Sequence, residues 1–322
     1  MAFRKLFAAV GTVLALGMGL HAQAAYPEKP IRLMVPWPAG GSSDAVARVI
    51  ARHLQDRLKQ PVIVDNKAGA SGNIGTAEVA RAAPDGYTLL LSSGPFSINP
   101  SLYRKLPYDA VRDFAPVAQI ANIPSVLVVP ASSPAQTMQE FAALARNPSK
   151  PLNVATPGSG SAQHLALELL RKKSSLAFNH VPYKGGAPAL NDVLGAQVDA
   201  MMSGFPEAAP HIKGGKLRAL AVTTPSRSTF LPNVPTLIEL KLADAGTAGW
   251  NGIHVPARTP ADIVKKLHDE INGILETPEV QQQLASLGFE VQRTSQQEFA
   301  AFVTQQMARW KEAVALSGAQ VD

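Results

Sequence analysis

Ile31-Arg32-Leu33-Met34-Val35 runs into Pro36-Trp37-Pro38-Ala39-Gly40-Gly41-Ser42-Ser43-Asp44, and this passage sets the fold class. Five mostly apolar residues make a short strand, and the Pro/Gly turn ends it. From Asp44 the apolar spacing becomes helical. Val46, Val49, Ile50, His53, Leu54 and Leu58 share one side, while Arg48, Arg52, Asp56 and Arg57 fall mostly elsewhere. Pro61 stops the helix. Val62-Ile63-Val64 is a second strand. A glycine-rich loop, Lys67 to Gly72, opens a helix over about 73–83. Pro84-Asp85-Gly86 turns the chain into a third strand, Tyr87 to Leu91. Strand–helix–strand–helix–strand with short links predicts an α/β layer with a mostly parallel sheet flanked by helices.

Working outward, residues 92–118 read as irregular and proline-rich. The rhythm then resumes. Strands are expected at 117–120, 126–129, 153–155, 178–181, 200–202, 217–222, 250–255 and 290–292. Helices are expected at 137–145, 162–172, 188–194, 207–213, 260–275, 278–287 and 295–317. The restart near residue 125 predicts a second lobe of the same class. No internal repeat is visible in the residues themselves.

Before Tyr26 lies a passage of a different kind. Arg4 and Lys5 precede an apolar run from Leu6 to Leu20, and Ala22-Gln23-Ala24 supplies small residues where a signal peptidase cuts. Residues 1–24 therefore read as a signal peptide of an exported, periplasmic, soluble protein. Cleavage after Ala24 removes two cations and takes the formal charge from +6 to +4. That mild excess has no clustered basic footprint, so no nucleic-acid partner is expected. The chain has no cysteine, which excludes thiol catalysis, iron–sulfur sites and a lipoprotein anchor.

Three loops share one form: strand, glycine with small hydroxyl residues, helix start. They are Pro38 to Asp44, Gly69 to Asn73 and Thr156 to Gln163. A helix start leaves main-chain N–H groups without intrahelical partners, and its dipole favours an anion. Glycine lets a ligand approach the main chain. Such loops suit a small organic anion. Asp44 and Ser43 read as helix caps or loop braces. Trp37 and Tyr183 follow strand ends and offer an apolar wall and a hydroxyl. Lys67, Arg104 and Lys184 are the nearby cations.

Enzyme signals are missing: no G-x-G-x-x-G, no Walker loop, no H-E-x-x-H. Ser71 or Ser159 with His164 is the only nucleophile–base arrangement on offer, and the chain reads as a non-enzyme. His164 and Glu168 have i,i+4 spacing, but a structural pair is the expectation, with no metal and no cofactor.

The motifs together resemble those of the extracytoplasmic solute receptors of tripartite tricarboxylate transporters, the Bug or TctC-like proteins. The resemblance runs through Tyr26-Pro27, Val35-Pro36 to Asp44, and Val64-Asp65-Asn66-Lys67 to Gly75. It continues through Pro84-Asp85-Gly86-Tyr87, Thr156-Pro157-Gly158 to Leu165, and Val181-Pro182-Tyr183-Lys184-Gly185-Gly186. Gly215 to Val222 and Leu231-Pro232-Asn233-Val234-Pro235-Thr236 complete it. It implies a two-lobed, type II-like clamshell, with residues 26–124 plus 249–322 in one lobe and 125–248 in the other. It implies a carboxylate ligand held with ordered water, a membrane permease as partner, and a monomer. A ligand-loaded sensor acting on a membrane histidine kinase is the alternative role. The implied contacts are Ala39, Gly40, Gly41, Ser42 and Asp44 in the first loop; Ala70, Ser71, Gly72 and Asn73 in the second; and Thr156, Ser159, Gly160, Ser161 and His164 in the third. Tyr183 and Phe205 would add from the second lobe. Glu239 to Gly246 is looser and more charged than the family pattern.

Overall fold

The computed structural model describes residues 26–183, 185–243 and 248–318. The expected signal peptide, Lys184 and the Asp244-to-Gly246 part of the divergent segment lie outside the described residues.

In chain order the elements begin β1 (Ile31–Val35), α1 (Ser42–Leu58), β2 (Val62–Asn66), α2 (Asn73–Ala80), β3 (Thr88–Ser93), α3 (Gly94–Leu102) and β4 (Phe114–Ile123). They continue with β5 (Ser125–Pro130), α4 (Met138–Leu144), β6 (Leu152–Thr156), α5 (Ala162–Ser174), β7 (Phe178–Pro182), α6 (Gly186–Leu194), β8 (Ala200–Gly204), α7 (Phe205–Lys213) and β9 (Leu217–Val222). The last are β10 (Gly249–Pro256), α8 (Ala261–Leu275), α9 (Pro278–Ser286), β11 (Glu290–Val291) and α10 (Gln296–Ser317).

Two sheets form, in the orders β11-β4-β10-β3-β1-β2 and β7-β6-β8-β5-β9. Each makes one lobe of a two-lobed α/β clamshell of type II form. Both sheets are mixed, where parallel pairing was expected to dominate. β1 pairs in parallel with β2 and β3, and β6 with β7 and β8. β10 and β5 each lie antiparallel between their neighbours. The chain path explains this. β4 ends at Ile123 and the chain enters the other lobe at Ser125 after one residue, Pro124. A strand that enters from the cleft must run away from it, against strands whose carboxyl ends point into it. β10 enters the first lobe from the second in the same way. The repeat missed in the residues thus appears as topology: β2-β1-β3-β10-β4 has the order of β7-β6-β8-β5-β9.

Strand alternation divides the first lobe's core. Ile31, Leu33 and Val35 face Val46, Ile50 and Leu54 of α1 and Leu267 and Ile271 of α8. Met34 and Leu90 face the other way, towards Phe96, Trp250 and Phe299. In the second lobe Leu127, Val154 and Met202 pack with Phe141 and Leu170, while Val126, Ala155 and Met201 pack with Ala189, Val193 and Ala208.

Residues 94–102 form a helix, correcting the irregular reading of that stretch. Pro95 sits in the first turn, where a missing N–H costs little, but Pro100 lies inside. The helix is buried on several sides, at Phe96, Ser97, Ile98, Asn99 and Leu102, so no amphipathic period marks it. α10 starts on the first lobe, with Phe299 and Val303 in its core. Its later residues Trp310, Ala313 and Val314 pack with Ile98 and Leu102 of α3 and Leu165 of α5. The last helix therefore touches both lobes. Its start carries a capping box between Ser295 and Glu298. Ser295→Ala is expected to cost about 1 kcal/mol, measured as a lower midpoint in urea.

Candidate functional site

Val35 delivers the chain into the first loop, where Ala39, Gly40, Gly41 and Ser42 are exposed. Gly41 is the N-cap of α1, extended at φ −79° and ψ 171°, and no side chain caps this helix. Asp44 is 3% exposed and braces the loop. Its carboxylate accepts from Gly40 N–H (2.9 Å), Asn66 Nδ2 (3.0 Å) and Arg48 Nε (2.9 Å). Burial works to raise its pKa, but these bonds outweigh burial and hold it below the usual carboxylate value. Asn66 Nδ2 also donates to Trp37 O (3.1 Å). Asp44 therefore shapes the loop, with its charge already matched.

The second loop packs directly on the first. Pro36 and Trp37 lie 3.4 Å from where a Cβ on Gly72 would stand. Trp37 Nε1 donates to Ser93 Oγ (3.1 Å). Ala70, Ser71 and Gly72 all have positive φ, at 47°, 53° and 87°, a left-handed run that turns the chain sharply into α2. Gly72 is the N-cap of α2, again without a side-chain cap. Ala70 and Ser71 are exposed. Asn73 is buried, and its Oδ1 accepts from Asn99 Nδ2 (2.7 Å) and Tyr108 OH (2.6 Å).

α3 spaces the second loop from the third. Asn99 Nδ2 donates to Ser71 O (3.0 Å), and Tyr103 OH donates to Ser71 Oγ (3.1 Å). Leu102, on the same helix, lies 2.8 Å from where a Cβ on Gly160 would stand. Gly160 has φ +74°, so glycine answers both the turn and the close approach. In this third loop Ser159 is exposed, and Ser161 caps α5 by accepting from His164 N–H (3.1 Å). Gly160 N–H donates to His164 Nδ1 (3.0 Å). Thr156 Oγ1 is 2.7 Å from His180 Nε2, and the His164 and His180 rings stack at 3.9 Å. Burial, chiefly, brings both imidazoles down to about 4.

Tyr183 adjoins this loop, its N–H donating to Thr156 O (3.1 Å). Its hydroxyl donates to Asp192 (2.5 Å), which together with burial pushes its pKa up to about 12. Phe205 sits apart: it is 7% exposed, stacks on Phe230 at 4.9 Å, and donates its N–H to Pro124 O at the crossover. Of the expected cations, Lys67 pairs with Glu78, which also binds Arg32. A pocket of about 510 Å³ lined by Phe141, Leu144 and Lys150 lies near the start of β6, away from these loops.

Sequence reasoning missed Asn66, Asn99, Tyr103 and His180 as supports of the loops. Asn66 and His180 lie on strands beside the loops they hold, which spacing does not reveal. Asn99 and Tyr103 belong to the helix and helix end that prolines disguised.

Among the described residues, no cleft serine hydrogen-bonds a histidine ring nitrogen as a nucleophile would. Ser71 Oγ takes the Tyr103 hydrogen, and His164 Nδ1 is occupied by Gly160 N–H. Ser92 and His254 do approach, at 2.8 Å, but within the core. Ser92 donates to Gly252 O there, so the ring donates to Ser92, the reverse of general-base activation.

Residues 46–318 match the tripartite tricarboxylate transporter family receptor pattern, TctC. BugT of Bordetella pertussis is 36% identical over 326 aligned positions, covering 100% of both chains. Rpa4515 of R. palustris, solved with adipate, shares 32% identity at a TM-score of 0.80 over 92% of this chain and 100% of its own. MatC of Rhodopseudomonas palustris, solved with malate, shares 31% identity at a TM-score of 0.74 over 90% of this chain and 100% of its own.

Proposed function

The chain belongs to the tripartite tricarboxylate transporter receptor family, and from that premise we propose that its cleft takes a small aliphatic di- or hydroxycarboxylate on the starts of α1 and α2. The protein is a periplasmic, non-catalytic solute receptor of a tripartite tricarboxylate-type transport system. The observation that carries the ligand reading is the pair of adjacent helix starts. Both have glycine N-caps without a side-chain cap, and Asp44, in the first turn of α1, is already matched by Arg48. At α2 the Gly72 and Asn73 N–H groups already donate to Gly69 O and Ala70 O, so the N–H groups of the α1 start and the two helix dipoles favour the carboxylate, each contact contributing about 0.3–1 kcal/mol or up to about 2 when half-buried. The bound adipate and malate of the two relatives have this chemistry.

In this reading residues 26–124 plus 249–322 and residues 125–248 close on the acid, and ordered water completes the contacts from Thr156, Ser159 and Ser161. Closure follows to the extent that the ligand binds the closed form better. The closed monomer then hands its ligand to the membrane permease.

Gly41→Val tests the site cleanly. Gly41 has an ordinary φ, and an added Cβ would meet only Pro38 O, at 3.5 Å. The variant should fold normally and bind adipate and malate at least about tenfold more weakly by calorimetry, since one lost contact of roughly 1.4 kcal/mol is a factor of ten. Undiminished affinity in the folded variant would remove the first loop from the site. A preference for sugars or cations over both acids would remove the carboxylate.

A further inference from the structure

His164 and His180 come from different elements and meet on the third loop. His164 stands in the first turn of α5, and its Nδ1 accepts the Gly160 N–H at 3.0 Å. His180 stands on β7, and its Nε2 meets Thr156 Oγ1 at 2.7 Å. Thr156 begins the loop and Gly160 lies at its other end. The two rings stack with centroids 3.9 Å apart and planes 10° apart. Together they join the loop's two ends through one aromatic contact.

We propose that His164 and His180 are the positioning residues of the third loop: stacked, they clamp its two ends, and the clamp holds only while the rings are uncharged. The inference rests on the proposed reading of this loop as part of a carboxylate site. The chemistry is one of donor and acceptor. A neutral His164 with the proton on Nε2 offers Nδ1 as acceptor to Gly160 N–H. A proton on Nδ1 would set two donors against each other. A charge on either ring would also face its stacked neighbour.

The surroundings keep the pair neutral at ordinary pH. Burial dominates for both rings and brings them to about 4, with Arg171 adding to the effect at His164. Among the described residues the charged groups acting on the stack are Glu168 and Arg171, both on α5. Glu168 Oε1 is 3.7 Å from His164 Nε2, and Arg171 binds the other carboxylate oxygen at 2.5 Å. β6 contributes uncharged Thr156, and α3 contributes Leu102 against Gly160.

The test has one arm without ligand and one with it. In ligand-free, nitrogen-15-labelled protein, the Gly160 amide resonance and its hydrogen exchange are followed from neutral to about pH 4. In wild type the amide should shift and lose protection as the pair takes up a proton. In His164→Asn, whose amide oxygen replaces Nδ1 and does not titrate, it should stay constant. A wild-type Gly160 amide that is unchanged, or one that changes equally in His164→Asn, overturns the clamp. In the second arm adipate and malate are titrated into His180 variants at neutral pH. His180→Ala should bind about tenfold more weakly and His180→Gln, which retains a polar group for Thr156, within about twofold of wild type. Wild-type affinity in His180→Ala, or equal losses in both variants, overturns the hydrogen-bonded clamp. If neither acid binds wild type, the ligand reading fails, while the Gly160 amide still decides the clamp.

Discussion

Trp310→Ala is expected to lower the unfolding free energy by about 3–5 kcal/mol, the range for emptying a buried aromatic site. Trp310 is fully buried and packs with Ile98, Leu102, Leu165, Ala313 and Val314. These residues come from α3, α5 and α10, so the cavity would open where the last helix joins both lobes. The nearby polar link is weak by comparison. Lys172 and Glu312 pair at 2.9 Å with side chains 53% and 59% exposed, and solvent screens such pairs. Apolar packing therefore contributes more to the seam than this ion pair does. Urea unfolding followed by circular dichroism measures the loss, and solution scattering should show a larger radius of gyration. Trp310→Phe keeps a ring in the site and should lose less than about half as much. A Trp310→Ala midpoint equal to wild type would show that the seam contributes nothing to stability.

The second large effect is acid sensitivity centred on His254. This ring is 2% exposed and lies among Phe96, Phe114, Trp250 and Phe299, with Nδ1 on Ser92. Burial drives its pKa down to about 3, while an unfolded histidine titrates near 6.5. Between those values the unfolded chain binds a proton that the folded chain refuses. Stability should thus be fully present above about pH 6.5, fall as pH drops, and level off below about 3. The slope is about 1.4 kcal/mol per pH unit for one such proton. His164 and His180 add in the same direction down to about 4. Asp44 and Glu78, held below the usual carboxylate value, lose their stabilising part only at more acid pH. Urea midpoints against pH should therefore decline before carboxylates titrate. His254→Asn should remove about one proton from the slope. An unchanged slope in that variant would assign the acid loss to other groups.

Much of the molecule was legible in its residues, for local reasons. Ile31 to Val35 is a short, mostly apolar run closed by a Pro/Gly turn, and Ile263, Leu267, Ile271 and Ile274 recur as a helix face; both became those elements. The three glycine-rich loops were visible because left-handed turns and close contacts leave few alternatives to glycine, as Gly72 and Gly160 show. α3 was not legible, because a helix buried on several sides has no period and its prolines imitate a loop. Tyr183 was placed by its position after a strand end and by the family resemblance, and Phe205 by the resemblance alone. The structure gives the Tyr183 hydroxyl to Asp192 and the Phe205 ring to Phe230.

The residues by themselves determined the succession of strands and helices apart from α3, the two α/β layers and the loop-to-helix starts. Each of these depends on neighbours within a few positions along the chain. Tertiary structure decided the rest. It set β5 and β10 antiparallel, because a strand crossing the cleft must run away from it. It placed α3 between the second and third loops and α10 across both lobes, because their buried faces fit only where two layers meet. It brought Asn66 to Asp44 and His180 to His164, because adjacent parallel strands put their carboxyl ends side by side whatever the distance in sequence.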